Sequence, residues 1–246
     1  MRYAKSTFPF QEALIQEVKS YVFLGLDVSV TDSGLILGIW AQAKVNGAYS
    51  KYSRVPSQLG RPASQVVADL LRRNGNNAVE VTSVSGNLTD HYNPATETLA
   101  LSQGVYGSTS IAALGIAAHE AGHAMQKMEG YAPMRLRTAV VPLVNFGSNA
   151  YFPLFLLGII FSWQPLIYLG ILCFALSVVF SLITLPVEFN ASSRAIAMLS
   201  QGGYITREEE PAVKAVLSAA ALTYVAAAVT SILSLLRLLI IARNRD

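Results

Sequence analysis

The sequence predicts a mainly α membrane protein, a helical transmembrane bundle carrying a small α+β domain, and three observations point to it. Charged residues make up 13% of the chain and apolar residues 52%, against roughly 25% charged in an ordinary soluble domain. No charged residue occurs from Thr138 to Val187, a run about twice the ~20 residues that one membrane helix needs. Residues 46–137, by contrast, carry the helix and strand periods of water-facing structure.

Taken in order, residues 1–45 form an N-terminal segment with a weak candidate anchor. Leu35, Ile36, Leu37, Ile39 and Trp40 are apolar, but Asp27 and Asp32 would each be costly at mid-membrane. Ala41-Gln42-Ala43 has the small-x-small look of a signal cleavage site, yet the apolar run before it is short and interrupted by those aspartates. Residues 1–20 carry no readable motif.

The 46–137 domain opens with an amphipathic helix over Ala63–Asn74, apolar at Val66, Val67, Leu70 and Leu71 and stopped at Gly75. Val79–Val84 alternates as a half-buried strand, Gly86-Asn87 reads as a turn, and Thr98–Ser102 is a second strand. A helix from about Thr109 to Glu129 closes at Gly130.

Residues 138–187 read as a transmembrane hairpin, roughly 139–161 and 166–186, broken at Ser162-Trp163-Gln164-Pro165. Proline stops a helix there and tryptophan suits the interface. Both ends of the hairpin emerge on one side. Residues 188–213 form a second exposed piece, in which Thr206-x-x-Glu209 resembles a capping box. Residues 214–246 hold a third span, roughly 215–236, rich in the small residues that pack helices closely in lipid.

A net charge of +3, with no basic run interleaved with aromatics, is too small to suggest nucleic acid, and no such partner is expected. The single cysteine, Cys173, sits in an apolar stretch and reads as packing.

Chemistry concentrates in His119-Glu120-Ala121-Gly122-His123. Two histidines four apart project from one face of a helix at a separation suited to a metal. Neutral imidazoles suit one Zn²⁺ per chain. The metal lowers the pKa of a bound water towards ~7, and Glu120 is placed to take its proton as general base. This is the H-E-x-x-H pattern of metallopeptidases. Only three histidines occur in the chain, so the pairing is not a by-product of abundance. A third ligand is needed. A glycine at 126 and a histidine at 129 would supply it on the same stretch, but those positions hold Gln126 and Glu129. His91 and Glu188 remain, the latter where the hairpin returns to the side it left.

Several further segments, with these, resemble the bacterial YugP-like neutral zinc metallopeptidases of the membrane. They are Lys51-Tyr52-Ser53-Arg54-Val55-Pro56-Ser57, Leu88-Thr89-Asp90-His91-Tyr92, Ala117 to Ala124, Gly130-Tyr131-Ala132-Pro133, Val144-Asn145-Phe146-Gly147-Ser148, and Pro186-Val187-Glu188-Phe189-Asn190-Ala191-Ser192. The resemblance runs from about Trp40 onward and fades over residues 1–39. More distantly the chain is similar to HtpX-like membrane metallopeptidases. That likeness implies a zincin-like, gluzincin-like catalytic domain with Glu188 as third zinc ligand. Those relatives carry an acidic residue four positions later, where this chain has Ser192.

The expected activity is membrane-bound, zinc-dependent endopeptidase cleavage of a peptide or protein substrate. His91, with Asp90 and Tyr92 beside it, is a candidate oxyanion stabiliser, or a loop histidine ordering the turn before Pro94; Arg194 and Tyr106 compete for the first role. The strand Thr98, Leu99, Ala100, Leu101 and Ser102 is a candidate edge on which a substrate peptide is laid antiparallel. Gly122 lets the helix approach a neighbour, and Lys51, Arg54, Arg61, Arg72 and Arg73 read as a solvated face. The alternatives are an intramembrane metalloprotease and a non-catalytic metal-binding scaffold. The expected location is the bacterial inner membrane, multi-pass. Lys44, Lys51, Arg54, Arg135 and Arg137 favour a cytoplasmic catalytic face, with Lys19, Arg237, Arg243 and Arg245 opposing.

Overall fold

A computed structural model describes residues 29–243, and the backbone within that range is mostly helical. Helix α1 spans Ser29–Tyr52 and α2 spans Ala63–Arg73. Three strands follow, β1 (Glu80–Val84), β2 (His91–Asn93) and β3 (Thr98–Ser102), then a single turn α3 (Gln103–Tyr106). Four longer helices complete the chain: α4 (Ile111–Met128), α5 (Ala132–Ile160), α6 (Gln164–Gln201) and α7 (Glu210–Arg243). The weak anchor expected within residues 1–45 lies partly outside the described residues.

Two layers share the long helices. One is a compact domain whose core joins α2 (Val66, Val67, Leu70, Leu71), β3 (Leu99, Leu101), the alanine face of α4, and the ends of α6 (Ala195, Leu199) and α7 (Val213, Leu217). The amphipathic pattern of α2 predicts its buried face residue by residue, and Gly75 ends it at a φ of +80°. The other layer is the bundle. Helices α5, α6 and α7 are each long and apolar enough to cross a membrane. Their outward faces carry exposed Leu143, Phe146, Leu157, Leu172, Leu182 and Leu239, an arrangement that lipid makes favourable. The chain is therefore a mainly helical membrane protein.

The hairpin breaks where expected. Phe161 caps α5, Ser162 takes a positive φ of 50°, and Pro165 opens α6. Its two helices touch backbone to backbone. A Cβ on Gly170 would lie 2.8 Å from the Phe155 nitrogen and 2.9 Å from the Tyr151 carbonyl oxygen.

Two expectations about element limits change. Residues 188–201 are not a separate exposed piece but the continuation of α6, which runs unbroken through Pro186. Proline is accepted there because neighbouring helices and local adjustment satisfy the carbonyl it leaves unpaired. The 46–137 domain does not begin at its own boundary either, since α1 extends across residue 45 to Tyr52. That helix lies along α7, where the Thr230 hydroxyl donates to the Gly34 carbonyl at 3.3 Å.

The sheet corrects a third. Its order is β1-β3-β2, with β3 parallel to β1 and antiparallel to β2. Thr98–Ser102 is a strand with the expected limits, but it is central, and both its edges are taken. It cannot receive a peptide. The edges are β1, beside α2 and α3, and β2, beside α4.

Because Gly170 has no room for a side chain, Gly170→Val is expected to push α5 from α6 and destabilise the bundle by about 1–3 kcal/mol. A thermal melt in detergent micelles reads this, and an unchanged midpoint would contradict the close hairpin contact.

Candidate metal centre

Helix α4 carries both histidines because its ends are firmly set. The Ser110 side chain accepts from the Ala113 N–H at 3.2 Å, capping the first turn. At the other end Gly130, at a φ of +66°, allows the Tyr131 N–H to reach the Gln126 carbonyl at 2.9 Å, a Schellman closure. Between them one face of α4 is alanine and glycine and lies flat against α6. A Cβ on Gly122 would stand 2.5 Å from the Ala191 carbonyl oxygen, so no other residue permits this approach. Sequence reading assigned Gly122 this role.

The approach brings α6 to the histidines. Glu188 Oε2 lies 3.2 Å from His119 Nε2 and 3.5 Å from His123 Nε2. The imidazoles are nearly perpendicular, at 83°, and turn their Nε2 atoms to one point. Candidate ligand atoms of His119, His123 and Glu188 all lie within 4.8 Å of one another. Tetrahedral ligands about 2.0–2.1 Å from zinc stand about 3.4 Å apart. The two His–Glu separations bracket that value and the remaining pair lies within 4.8 Å, so the three donors suit a zinc ion after a small inward adjustment, with one position left open.

What orients these groups was only partly visible in the sequence. Gln126, with 0% exposure, gives its amide N–H groups to the Val187 carbonyl at 2.8 Å and Asn190 Oδ1 at 2.9 Å. Its Oε1 therefore faces His123 Nδ1 at 3.0 Å and must accept. His123 then carries its proton on Nδ1 and leaves Nε2 bare. This is the arrangement a metal requires. Asn190 Oδ1 also accepts from Arg194 Nε at 2.7 Å, and Arg194 pairs with Glu129. That guanidinium holds the Glu129 carboxyl below its ordinary range. Gln126 and Glu129 occupy the positions where the same-stretch ligand failed, and both serve this supporting chain.

Ser192 settles another point. Its hydroxyl lies 3.1 Å from His119 Nδ1. It stands one turn beyond Glu188 on α6, so the two residues meet opposite nitrogens of the same ring.

Two residues were missed. Arg137 Nη1 donates to Glu188 Oε1 at 3.3 Å, and Tyr224 lies near enough to the same carboxylate to interact with it electrostatically. Arg137 had been read only as an orienting charge, and Tyr224 had not been singled out in its alanine-rich span. A usable signal existed, since Arg137 and Glu188 are the opposite charges that bound the charge-free run.

Glu120 is half-buried and close enough to feel His123, Asp90 and Tyr224 electrostatically. Asp90 receives the Ser102 N–H at 2.8 Å and its hydroxyl at 3.0 Å. Burial, opposed by those bonds and aided by Glu120, pushes the Asp90 carboxyl up. His91 does not join the cluster. Its Nδ1 donates to the Thr89 carbonyl at 2.9 Å, which ties the ring to its own loop. Arg194 is committed to Asn190 and Glu129, and Tyr106 packs against the domain core.

His123 is under opposing influences. Burial disfavours its charged form, but the Glu188 carboxylate and, behind it, Glu120 outweigh this and hold the imidazole above the ordinary 6.5. A metal must displace that proton. Zinc affinity is therefore expected to weaken with acidification beginning above pH 6.5. Competition titrations downward from about pH 8 check this, and an affinity flat until 6.5 would contradict it. Gln126→Leu is expected to weaken zinc binding by about 10–100-fold with the fold intact, read by the same titration.

A family model described as "Putative neutral zinc metallopeptidase" matches residues 29–243, beginning earlier than the resemblance visible from Trp40. The chain is 46% identical over 219 residues to the "Putative membrane protease YugP" of Bacillus subtilis (strain 168), covering 89% of this chain and 97% of that protein. No solved structure matches. The chain belongs to this zinc metallopeptidase family.

Proposed function

We propose that the chain is a membrane-bound zinc endopeptidase, with His119, His123 and Glu188 as metal ligands and Glu120 as general base. The observation that carries this reading is the convergence of two imidazoles and one carboxylate, their ligand atoms all within 4.8 Å, beside a fourth ionisable group that is not a ligand.

Bound zinc would polarise the scissile carbonyl and acidify the attacking water. Glu120 carries no hydrogen bond to any described residue and stands beside His123, so it is free to take that water's proton and deliver it to the leaving amine nitrogen. Ser192 and Gln126 keep the two rings from turning during the reaction. The outer edge of β2, which lies against α4, takes over the peptide-binding role first assigned to Thr98–Ser102. A peptide added there gains main-chain hydrogen bonds at little cost in sequence selectivity.

The intramembrane alternative is disfavoured by the surroundings of α4, which is sheathed by α2, the sheet, α6 and α7 and is not among the helices suited to span lipid. A scaffold that merely stored metal would have no use for Glu120. We assign the protein to the bacterial inner membrane, multi-pass, with the catalytic face cytoplasmic. Lys44, Lys51, Arg54 and Arg135 support this side, whereas Arg137 is engaged by Glu188.

Glu120→Gln is expected to keep one zinc per chain and lose about 10²–10⁴-fold in peptide cleavage. Glu188→Ala should instead lose the metal. Metal analysis and casein cleavage by the full chain in lipid nanodiscs read both. A Glu120→Gln protein as fast as the parent would end the catalytic assignment.

A further inference from the structure

We propose that Arg137 of α5 and Tyr224 of α7 act together as a clamp on Glu188 that fixes which oxygen it presents to the metal, tying zinc retention to the packing of the membrane helices. The proposal rests on the zinc reading of the site and adds residues to it.

Glu188 has 2% of its surface exposed and is approached from three directions. Its Oε2 faces His119 and His123 at 3.2 and 3.5 Å, while its Oε1 takes Arg137 Nη1 at 3.3 Å. Tyr224 approaches the carboxylate from α7, close enough to interact with it electrostatically. The ligands themselves come from α4 and α6 alone, so without the clamp neither α5 nor α7 would touch the centre. A carboxylate held at one point can rotate about its terminal bond and swing its second oxygen towards the metal. Arg137 occupies that second oxygen, and the Tyr224 hydroxyl limits the rotation.

The location explains why a clamp is needed. Arg137 and Glu188 flank the charge-free run at its two ends, and the hairpin folds those ends together. An unpaired carboxylate buried at this boundary would be strongly destabilising. The guanidinium offsets that charge and supplies direction.

Charge alone predicts something different from a clamp. A guanidinium near a dication repels it, so a purely electrostatic Arg137 would weaken zinc binding, and its removal would tighten it. A clamp predicts that removal loosens it. Tyr224 is neutral, and only positioning can account for an effect there.

The test uses the full chain in lipid nanodiscs, with zinc affinity measured by chelator competition and the visible spectrum of the cobalt-substituted protein recorded. Tyr224→Phe and Arg137→Met are each expected to weaken zinc about 10-fold or more and to alter the cobalt spectrum, with Arg137→Lys recovering part of the affinity. Affinities within about twofold of the parent, or tighter binding in Arg137→Met, would overturn the clamp. Should Arg137→Met fail to fold, as judged by its helical melt, Tyr224→Phe removes one oxygen atom and decides the matter. If the parent chain takes up no zinc, the zinc reading itself falls. If the parent binds zinc, Glu120→Gln is inactive, and both clamp variants keep the parent affinity, only the clamp falls.

Discussion

The contact between Gly122 and the Ala191 carbonyl sets the distance on which everything at the centre depends. Helices of ordinary composition pack about 8–10 Å apart, which would keep Glu188 out of reach of both rings. With only a hydrogen at position 122, α4 settles onto the backbone of α6. Glu188 and Ser192, one turn apart, then fall on either side of His119, Glu188 at its Nε2 and Ser192 at its Nδ1. Ala191 and Ala195, fully buried at the same seam, maintain the approach along the helix. Glycine inside a helix is unfavourable by roughly 1 kcal/mol relative to alanine. Here the loss is local, and the gain is the assembly of three ligands from two helices.

The supporting hydrogen bonds follow the same economy. Each histidine is gripped at Nδ1 by a neutral group, Gln126 for one and Ser192 for the other. Gln126, which can only accept there, fixes the tautomer of His123, and neither partner adds negative charge behind the rings. Charge enters through Glu188 and is met by Arg137, so the clustered ionisable groups are matched before any metal arrives. Gln126 has a second function, since its amide also ties α4 to the Val187 carbonyl, directly beside the ligand carboxylate. One side chain therefore orients a ligand on its own helix and registers the helix that supplies another.

Much of this was legible from the residues. The pair His119 and His123 declares itself by four-residue spacing, because helical geometry is local. The hairpin break is equally local, written in Ser162, Trp163 and Pro165. Gly122 was readable because a glycine between two ligands has few other reasons to be there. What failed was non-local. Strand order is not encoded in a strand's own alternation, so Thr98–Ser102 was recognised as a strand and misjudged as an edge. The strand that displaces it, His91–Asn93, has only three residues and no pattern of its own. Continuity of α6 was hidden because Pro186 and Glu188 look like a boundary in isolation. The surrounding helices make both acceptable inside one helix. Arg137 and Tyr224 belong to no motif, and only the fold brings them to the carboxylate.

Helix length explains why the centre sits where it does. From Gln164, where α6 begins, to Glu188 is about 36 Å of helix at 1.5 Å per residue, slightly more than a hydrocarbon core of about 30 Å. Glu188 therefore leaves the apolar slab as α6 crosses it, and the same helix continues into the domain core as far as Leu199. Helix α7 makes the reverse passage, through Val213 and Leu217 in the domain before entering the bundle. Because neither helix stops at the boundary, the domain is built on the membrane helices and not attached to them by a linker. A rigid centre at this level needs no separate docking step, since the elements that cross the bilayer are the ones that hold the ligands. The polar groups of the centre are thereby kept at the first depth where water is available to one side, and the Glu188 carboxylate never has to be carried through lipid.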